Sequence, residues 1–394
     1  MAEIKVMTGN MAAATGASLA NPGVIAAYPI TPQTPLVEHL TQMKVDNKIK
    51  ATMTEVESEL SAMSVLTGAS LAGSRTFTAT SSQGLALMYE PYFRASTLRL
   101  PIVMNIVNRE MISPQTLWGG PQDSLTIRDA GWLQLYVENN QEILDMTYLA
   151  FRIAEDPRVL LPINICYDGF YLSHMSEPVE VPNASALEGF LPDYGPTHVI
   201  LDPERPMAVD PLTNGDLLTE YRYHHMQAQQ AVFDVLEEVE KEYGDITGRY
   251  YPGPIEEYRT DDAEFLLVSM GSMSGAAKEA IDTMRDRGVK VGLLRMRLIR
   301  PFPAKRLAEL VKGKKGIGIV DRNVSFGWNT GIVFQEINAA LSRHNVDVPA
   351  RPFIAGLGGE DVRKEHFEYA IRQTTQVEQN GLYETIWLNK VEEI

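Results

Sequence analysis

The stretch "VIAAYPITPQTPLVEHL", residues 24–40, decides the fold class. It starts as an apolar, strand-like run, meets three prolines within seven residues, and restarts with a helical pattern. Proline fixes φ and pushes the residue before it toward extended conformations. Tyr28, Thr31 and Thr34, each preceding a proline, are therefore expected in a stiff, extended turn. Stiff loops at strand ends are where α/β proteins hold ligands. A rigid strand-to-helix connector without chemistry fits the same residues, and the stretch alone leaves both readings open.

Its neighbours repeat the alternation. Residues 10–21 have a helical pattern. "IKATMTEV" is strand-like and leads into a helix over 58–72. "SRTFTATS", "LPIVMNIVN" and "VLLPINICYD" are further strands, separated by the helical "GLALMYEPYFRAST" and "NQEILDMTYLAFRIAED". Strands and helices alternating at this spacing predict a parallel sheet with crossover helices. After residue 175 proline is frequent and strands are unclear, apart from one strong helix over 221–243. From Ala263 the α/β alternation resumes with "AEFLLVSMGSMSGAAKEAIDTMRDRGVKVGLLRM", "GIGIVDRNVS" and "RPFIAGLGG". The expected organisation is a first domain with an extension over 1–245, a linker over 246–262 and a second domain over 263–394. "GSMSG", residues 271–275, could cradle a phosphate, but it matches no nucleotide fingerprint and serves equally as a turn.

Composition excludes several classes. A chain of 394 residues is long for one core. A net charge of -16 argues against nucleic acid and anionic membranes as partners. No apolar run approaches the ~20 residues of a membrane span, and "MAEIKVMTGN" lacks the apolar core of a signal peptide. The single cysteine, Cys166, excludes a disulfide within the chain and suits a reducing cytoplasm. It also leaves no iron–sulfur cluster for this chain alone, since clusters need about four such ligands. The histidines lack metal-site spacing, so no metal is assigned to the chain.

Three segments could carry chemistry. In "TEVESELSAMSVLTGASLAG" Glu55, Glu57 and Glu59 alternate before a helical apolar period, with Thr54 or Ser58 placed to cap it. Glu59 then falls in the first turn, where the helix dipole favours a carboxylate; acids decorating a helix start is the plain alternative. "TATSSQGLALM" follows a strand with hydroxyls and an amide, and no histidine stands near to activate a serine, so binding is preferred to nucleophilic catalysis. "NIVNREMISPQTLWGGPQDS" sets Arg109 just past a strand end, where it could hold a carboxylate or simply lie on the surface.

Together "AYPITPQTPLVE", "VESELSAMSVLTGAS", "RTFTATSSQGLALM", "LPIVMNIVNR", "QDSLTIRDAGWLQLYVENNQEILD" and "GLLRMRLIRPFP" resemble the alpha subunit of the 2-oxoacid:ferredoxin oxidoreductases, over nearly the whole chain. The resemblance implies a thiamine diphosphate pyrimidine-binding domain followed by a transketolase C-terminal-like domain. It implies Thr31 and Arg109 facing the substrate and Glu59 on the cofactor's aminopyrimidine, where a carboxylate promotes loss of the thiazolium proton. Pro29, Ser82 and Gln83 would contact the cofactor, and Ile30, Gly119, Gly120, Gln122 and Asp123 would form the substrate loop. The chain lacks the usual "GDG…N" magnesium motif. Magnesium, the diphosphate-binding domain and the [4Fe-4S] clusters are then expected in partners: a beta subunit, a cysteine-rich delta subunit and a gamma subunit, delivering electrons to ferredoxin in the cytoplasm.

One departure bears on the substrate. Where pyruvate-type relatives read approximately "WNDHQDS", this chain reads "WGGPQDS", residues 118–124. Loss of a carboxylate would make room for a second negative charge, so oxalate is placed ahead of pyruvate. Glycines would also permit unusual φ angles and loop movement. A pyruvate enzyme making acetyl-CoA, a non-catalytic scaffold and a transketolase-like transferase are the alternatives.

Overall fold

The structure is a computed structural model and describes residues 3–196, 198–377, 381 and 383–392. Its first sheet has seven strands in the order Leu298–Arg300, Leu133–Tyr136, Ile163–Asp168, Val103–Asn108, Thr76–Thr80, Val24–Ala27 and Thr52–Glu55. Every neighbouring pair is parallel except the first. The four strands Thr76–Thr80, Val103–Asn108, Leu133–Tyr136 and Ile163–Asp168 are buried at every position, which is why they read as mostly apolar or β-branched runs, interrupted by the buried Asn105, Asn108, Gln134, Asn164 and Asp168, rather than alternating ones. The second sheet has six strands, Ile386–Trp387, Ala350–Ile354, Gly316–Asp321, Phe265–Met270, Val291–Met296 and Ile255–Tyr258, with only the last antiparallel. A separate antiparallel ribbon pairs Glu3–Thr8 with Ser176–Val181.

The expected α/β class and parallel sheets are present, and local differences have physical reasons. The helix expected through "GLALMYEPYFRAST" is two helices, Ser82–Leu87 and Tyr89–Thr97, meeting at Met88. Pro91 falls in the first turn of the second helix, where its missing N–H costs no intrahelical bond. The strong helix of the middle segment is longer than its periodic part, Gly215–Thr247, because Asn214 caps its start and Gly248, at φ 77°, ends it.

The segment expected to be a linker contains the edge strand Ile255–Tyr258, paired to Val291–Met296. Conversely Leu298–Arg300, from the second α/β unit, adds to the edge of the first sheet beside Leu133–Tyr136. One buried apolar cluster accordingly includes Met104 and Leu125 together with Leu266 and Ile299. Polar contacts cross the same boundary. Arg295 makes a two-pronged bond to Glu142 at 2.8 and 2.7 Å, and Arg297 bonds Glu240 at 2.8 Å. Both arginines are buried. Among the described residues no helix is long and apolar enough to cross a membrane.

Candidate active site

The strands Val24–Ala27, Thr76–Thr80 and Val103–Asn108 lie in register, Ile25 beside Phe77 and Thr80 beside Ile106. Their carboxyl ends therefore deliver the loops at 28–33, 81–83 and 109–110 to one edge of the sheet, the usual ligand crevice of an open α/β sheet. The proline loop is pinned from beneath. Asn10 Nδ2 donates to Pro32 O at 2.8 Å, and Gln33 Nε2 donates to Ala79 O at 3.0 Å. Thr31 and Pro29 stay exposed on its outer side, with Ile30 half-buried.

Arg109 joins two other expected residues. Its Nη1 donates to Thr31 O at 2.7 Å and its Nη2 to Gln83 Oε1. The side chain is nearly buried, burial lowers its pKa, and its Nε has no partner. Glu59 opens the helix Glu59–Leu71, capped by Ser58, whose Oγ accepts from Ser61 N at 3.2 Å. Only 5% of Glu59 is exposed, and burial raises its carboxyl pKa against the lowering effect of its own backbone N–H. A Cβ at Gly84 would lie 2.7 Å from Glu59 Oε1 and 2.3 Å from Thr80 Oγ1, so only glycine lets this turn close on the carboxylate. Thr80 Oγ1 is itself buried without a partner.

Asp123 organises the floor. Its Oδ2 accepts from the N–H of Ser82 and of Arg109 at 2.9 and 3.0 Å, and its Oδ1 from Asn108 Nδ2 and the N–H of Ser124, both at 2.7 Å. Burial pushes its carboxyl up to about 6, with these donors pulling the other way. Ser82 commits both of its donors within the chain. Its N–H goes to Asp123, and its hydroxyl donates to Glu110 O at 2.7 Å. Gln122 Oε1 accepts from Val324 N of the second α/β unit at 3.0 Å.

The glycine pair differs most from the sequence reading. Neither Gly119 nor Gly120 has a positive φ, so unusual backbone angles are not why glycine stands there. Close approach is the reason. A Cβ at Gly119 would meet the backbone oxygen of Gly169 at 2.7 Å, and one at Gly120 would meet Glu110 Oε1 at 2.2 Å. Both residues are buried and packed. The acid presumed lost from this stretch also has a counterpart in space, the Glu110 carboxyl. Sequence reasoning missed Glu110 and Gly84, because each is defined by a partner from another segment.

Two family models match the chain. Pyruvate flavodoxin/ferredoxin oxidoreductase, thiamine diphosphate-binding, covers residues 15–241, and pyruvate:ferredoxin oxidoreductase core domain II covers 263–367. The chain belongs to this oxidoreductase family. The alpha subunit of NADH-dependent phenylglyoxylate dehydrogenase from Aromatoleum evansii is 44% identical over 97% of this chain and 94% of its own length. Pyruvate synthase subunit PorA from Methanothermobacter thermautotrophicus is 43% identical over 99% of each. Among solved structures, 2-oxoglutarate:ferredoxin oxidoreductase from Magnetococcus marinus superposes with a TM-score of 0.76 at 19% identity over 94% of this chain. The present chain spans 65% of that longer one, and the likeness concerns the fold. A split-gene transketolase superposes less closely, with a TM-score of 0.55 at 12% identity over 92% of this chain.

In this oxidoreductase-family fold Glu59, Gln83 and Arg109 all fall inside the thiamine diphosphate-binding match. The orphan hydroxyl of Thr80, the glycine cradle at Gly84 and the poorly solvated Glu59 carboxyl fit an aminopyrimidine ring. The core domain II match holds Arg322, which bonds Asp168 at 2.9 Å, and Gly358, whose N–H reaches Glu110 at 3.2 Å. The second unit thus buttresses the strand ends at Glu110 and Asp168.

Proposed function

We propose that the chain is the alpha-type subunit of a thiamine diphosphate-dependent oxidoreductase that oxidatively decarboxylates a small, singly charged 2-oxoacid. The observation that carries this reading is the Arg109 guanidinium, held by Thr31 O and Gln83 at the sheet edge that also bears Glu59. A nearly buried guanidinium fixed on two sides, with three of its five N–H donors uncommitted, is suited to a substrate carboxylate. Glu59 and Thr80 would hold the aminopyrimidine, with Glu59 carrying the proton or hydrogen bond at the ring nitrogen. Bound thiamine diphosphate supplies a carbon nucleophile and an electron sink. The buried floor under Arg109 keeps water from competing for its charge.

Magnesium, the diphosphate-binding domain and the [4Fe-4S] clusters are assigned to partner subunits of beta, gamma and delta type, with ferredoxin as the electron acceptor. The single Cys166 and the full-length relatives, named as subunits, support that division. Pyruvate and phenylglyoxylate, the acids after which these relatives are named, are both singly charged. The argument for oxalate over pyruvate rested on a missing carboxylate, and Glu110 occupies that space. The test is purification of the native complex and assay of pyruvate, phenylglyoxylate, 2-oxoglutarate and oxalate with a low-potential electron acceptor. Turnover of a singly charged acid is expected, and a complex that oxidises none of the four overturns the reading.

A further inference from the structure

Glu110 follows the guanidinium-bearing Arg109 directly, and its backbone is fixed on both sides. Its N–H donates to Trp118 O at 3.2 Å, and its C=O accepts the Ser82 hydroxyl at 2.7 Å. Its side chain lies over Gly120. A Cβ there would come within 2.2 Å of Oε1, 2.6 Å of Cδ and 2.9 Å of Cγ. The carboxyl group therefore fills the volume into which residue 120 would project its own side chain. The N–H of Gly358, from the second α/β unit, holds Oε1 at 3.2 Å.

We propose that Glu110 is the specificity-determining acid of the substrate loop: seated over Gly120, its carboxyl group closes that side of the site to a second negative charge on the substrate. This rests on the function proposed above. The charged groups around it do not cancel it. Asp123 faces it from the helix Gln122–Thr126 and repels its charge. Arg322 faces it from beyond the strand Gly316–Asp321 and attracts it, but the Arg322 guanidinium is already bonded to Asp168. Burial, more than these neighbours, pushes the Glu110 carboxyl up to about 7. The acid is thus largely neutral in mildly acidic solution and charged above it. Selection against doubly charged acids should strengthen as pH rises through about 7.

The contrast with Gly119 makes the idea testable. At Gly119 the obstacle is backbone, the Gly169 oxygen, which no side-chain change removes. At Gly120 the obstacle is the Glu110 side chain alone, and the backbone there has no positive φ. The carboxylate can therefore be moved from 110 to 120. Three variants are compared in the assembled complex: Glu110→Gln, Gly120→Asp, and Glu110→Ala combined with Gly120→Asp. Gly120→Asp should lower the thermal midpoint, and the double variant should recover most of the loss. The catalytic readout is the half-saturating concentration of oxalate, as substrate or competitor, relative to that of the singly charged 2-oxoacid turned over. Glu110→Gln should shift this ratio toward oxalate by ~10-fold, the scale of one like-charge contact largely screened by water, and should flatten its pH dependence. The double variant should restore the wild-type ratio. A complex that oxidises a 2-oxoacid but keeps the same ratio and pH profile in Glu110→Gln overturns this inference alone. A complex that oxidises no 2-oxoacid overturns the functional reading and this inference with it.

Discussion

The backbone N–H of Arg109 donates to Asp123 Oδ2 across 3.0 Å, and the same oxygen takes the N–H of Ser82 at 2.9 Å. One carboxylate thus ties together the ends of two neighbouring strands and orients the residue that bears the guanidinium. Asp123→Asn would turn an NH2 group toward N–H donors or leave them unpaired. The expected cost is about 1–3 kcal/mol of stability, with a raised KM as Arg109 loses its setting. Thermal unfolding and steady-state kinetics of the complex check both. An unchanged KM would mean that Gln83 and Thr31 suffice to hold Arg109.

Arg109→Lys tests the fork rather than the charge. Lysine keeps the positive charge but cannot span Gln83 and Thr31 O together. Arg109→Ala removes both, and loss of one member of a desolvated charge pair costs about 2–5 kcal/mol. The kcat/KM of the 2-oxoacid should fall in the order wild type, Lys, Ala. Equal values for Lys and Ala would assign the whole effect to the fork.

Glu59→Gln should leave the helix cap on Ser58 intact. Proton exchange at the cofactor's thiazolium carbon should slow by ~10²–10⁴-fold in the assembled complex. Gly84→Ala should act on the same group by another route, since its Cβ would press on Thr80 Oγ1 and Glu59 Oε1. Weaker cofactor binding by calorimetry is the expected result. If exchange is untouched in Glu59→Gln, attention moves to Glu55 and Glu57, although Glu57 Oε1 accepts a bond from Ser61.

Stability toward acid should depend on Glu142. Burial alone would raise its carboxyl, but the charges of Arg295 and Arg297 hold it down at about 2. A depressed carboxylate stabilises the fold above its unfolded value, near 4.5, and loses that contribution as pH falls toward about 2. Glu142→Gln should cost about 3–5 kcal/mol near neutrality, because it leaves buried guanidinium charge without its partner. It should also flatten the acid limb of the stability profile. Asp123 has the opposite sign: pushed up to about 6, it favours the folded state most at low pH, and that contribution is lost as pH rises through about 6. Denaturation followed from pH 3 to pH 8 separates the two.

The sequence by itself determined the fold class, because fully buried parallel strands are mostly apolar or β-branched rather than alternating, as "LPIVMNIVN" and "VLLPINICYD" are apart from Asn105, Asn108, Asn164 and Asp168. It also determined the start of the Glu59 helix, because Ser58 caps its own chain three residues on, and the strand-end position of Arg109. These are local properties, written within a few residues. Only the tertiary structure decided what crosses segments. Ile255–Tyr258 looks like a charged linker and becomes a strand only because Val291–Met296 offers it an edge. Ser82 looks like a ligand donor until Asp123, 41 residues away, takes its N–H. Gly120 suggests a missing acid until Glu110, ten residues earlier, is found filling the space. Periodicity and capping are set by neighbours along the chain, whereas excluded volume and hydrogen-bond satisfaction are set by neighbours in space.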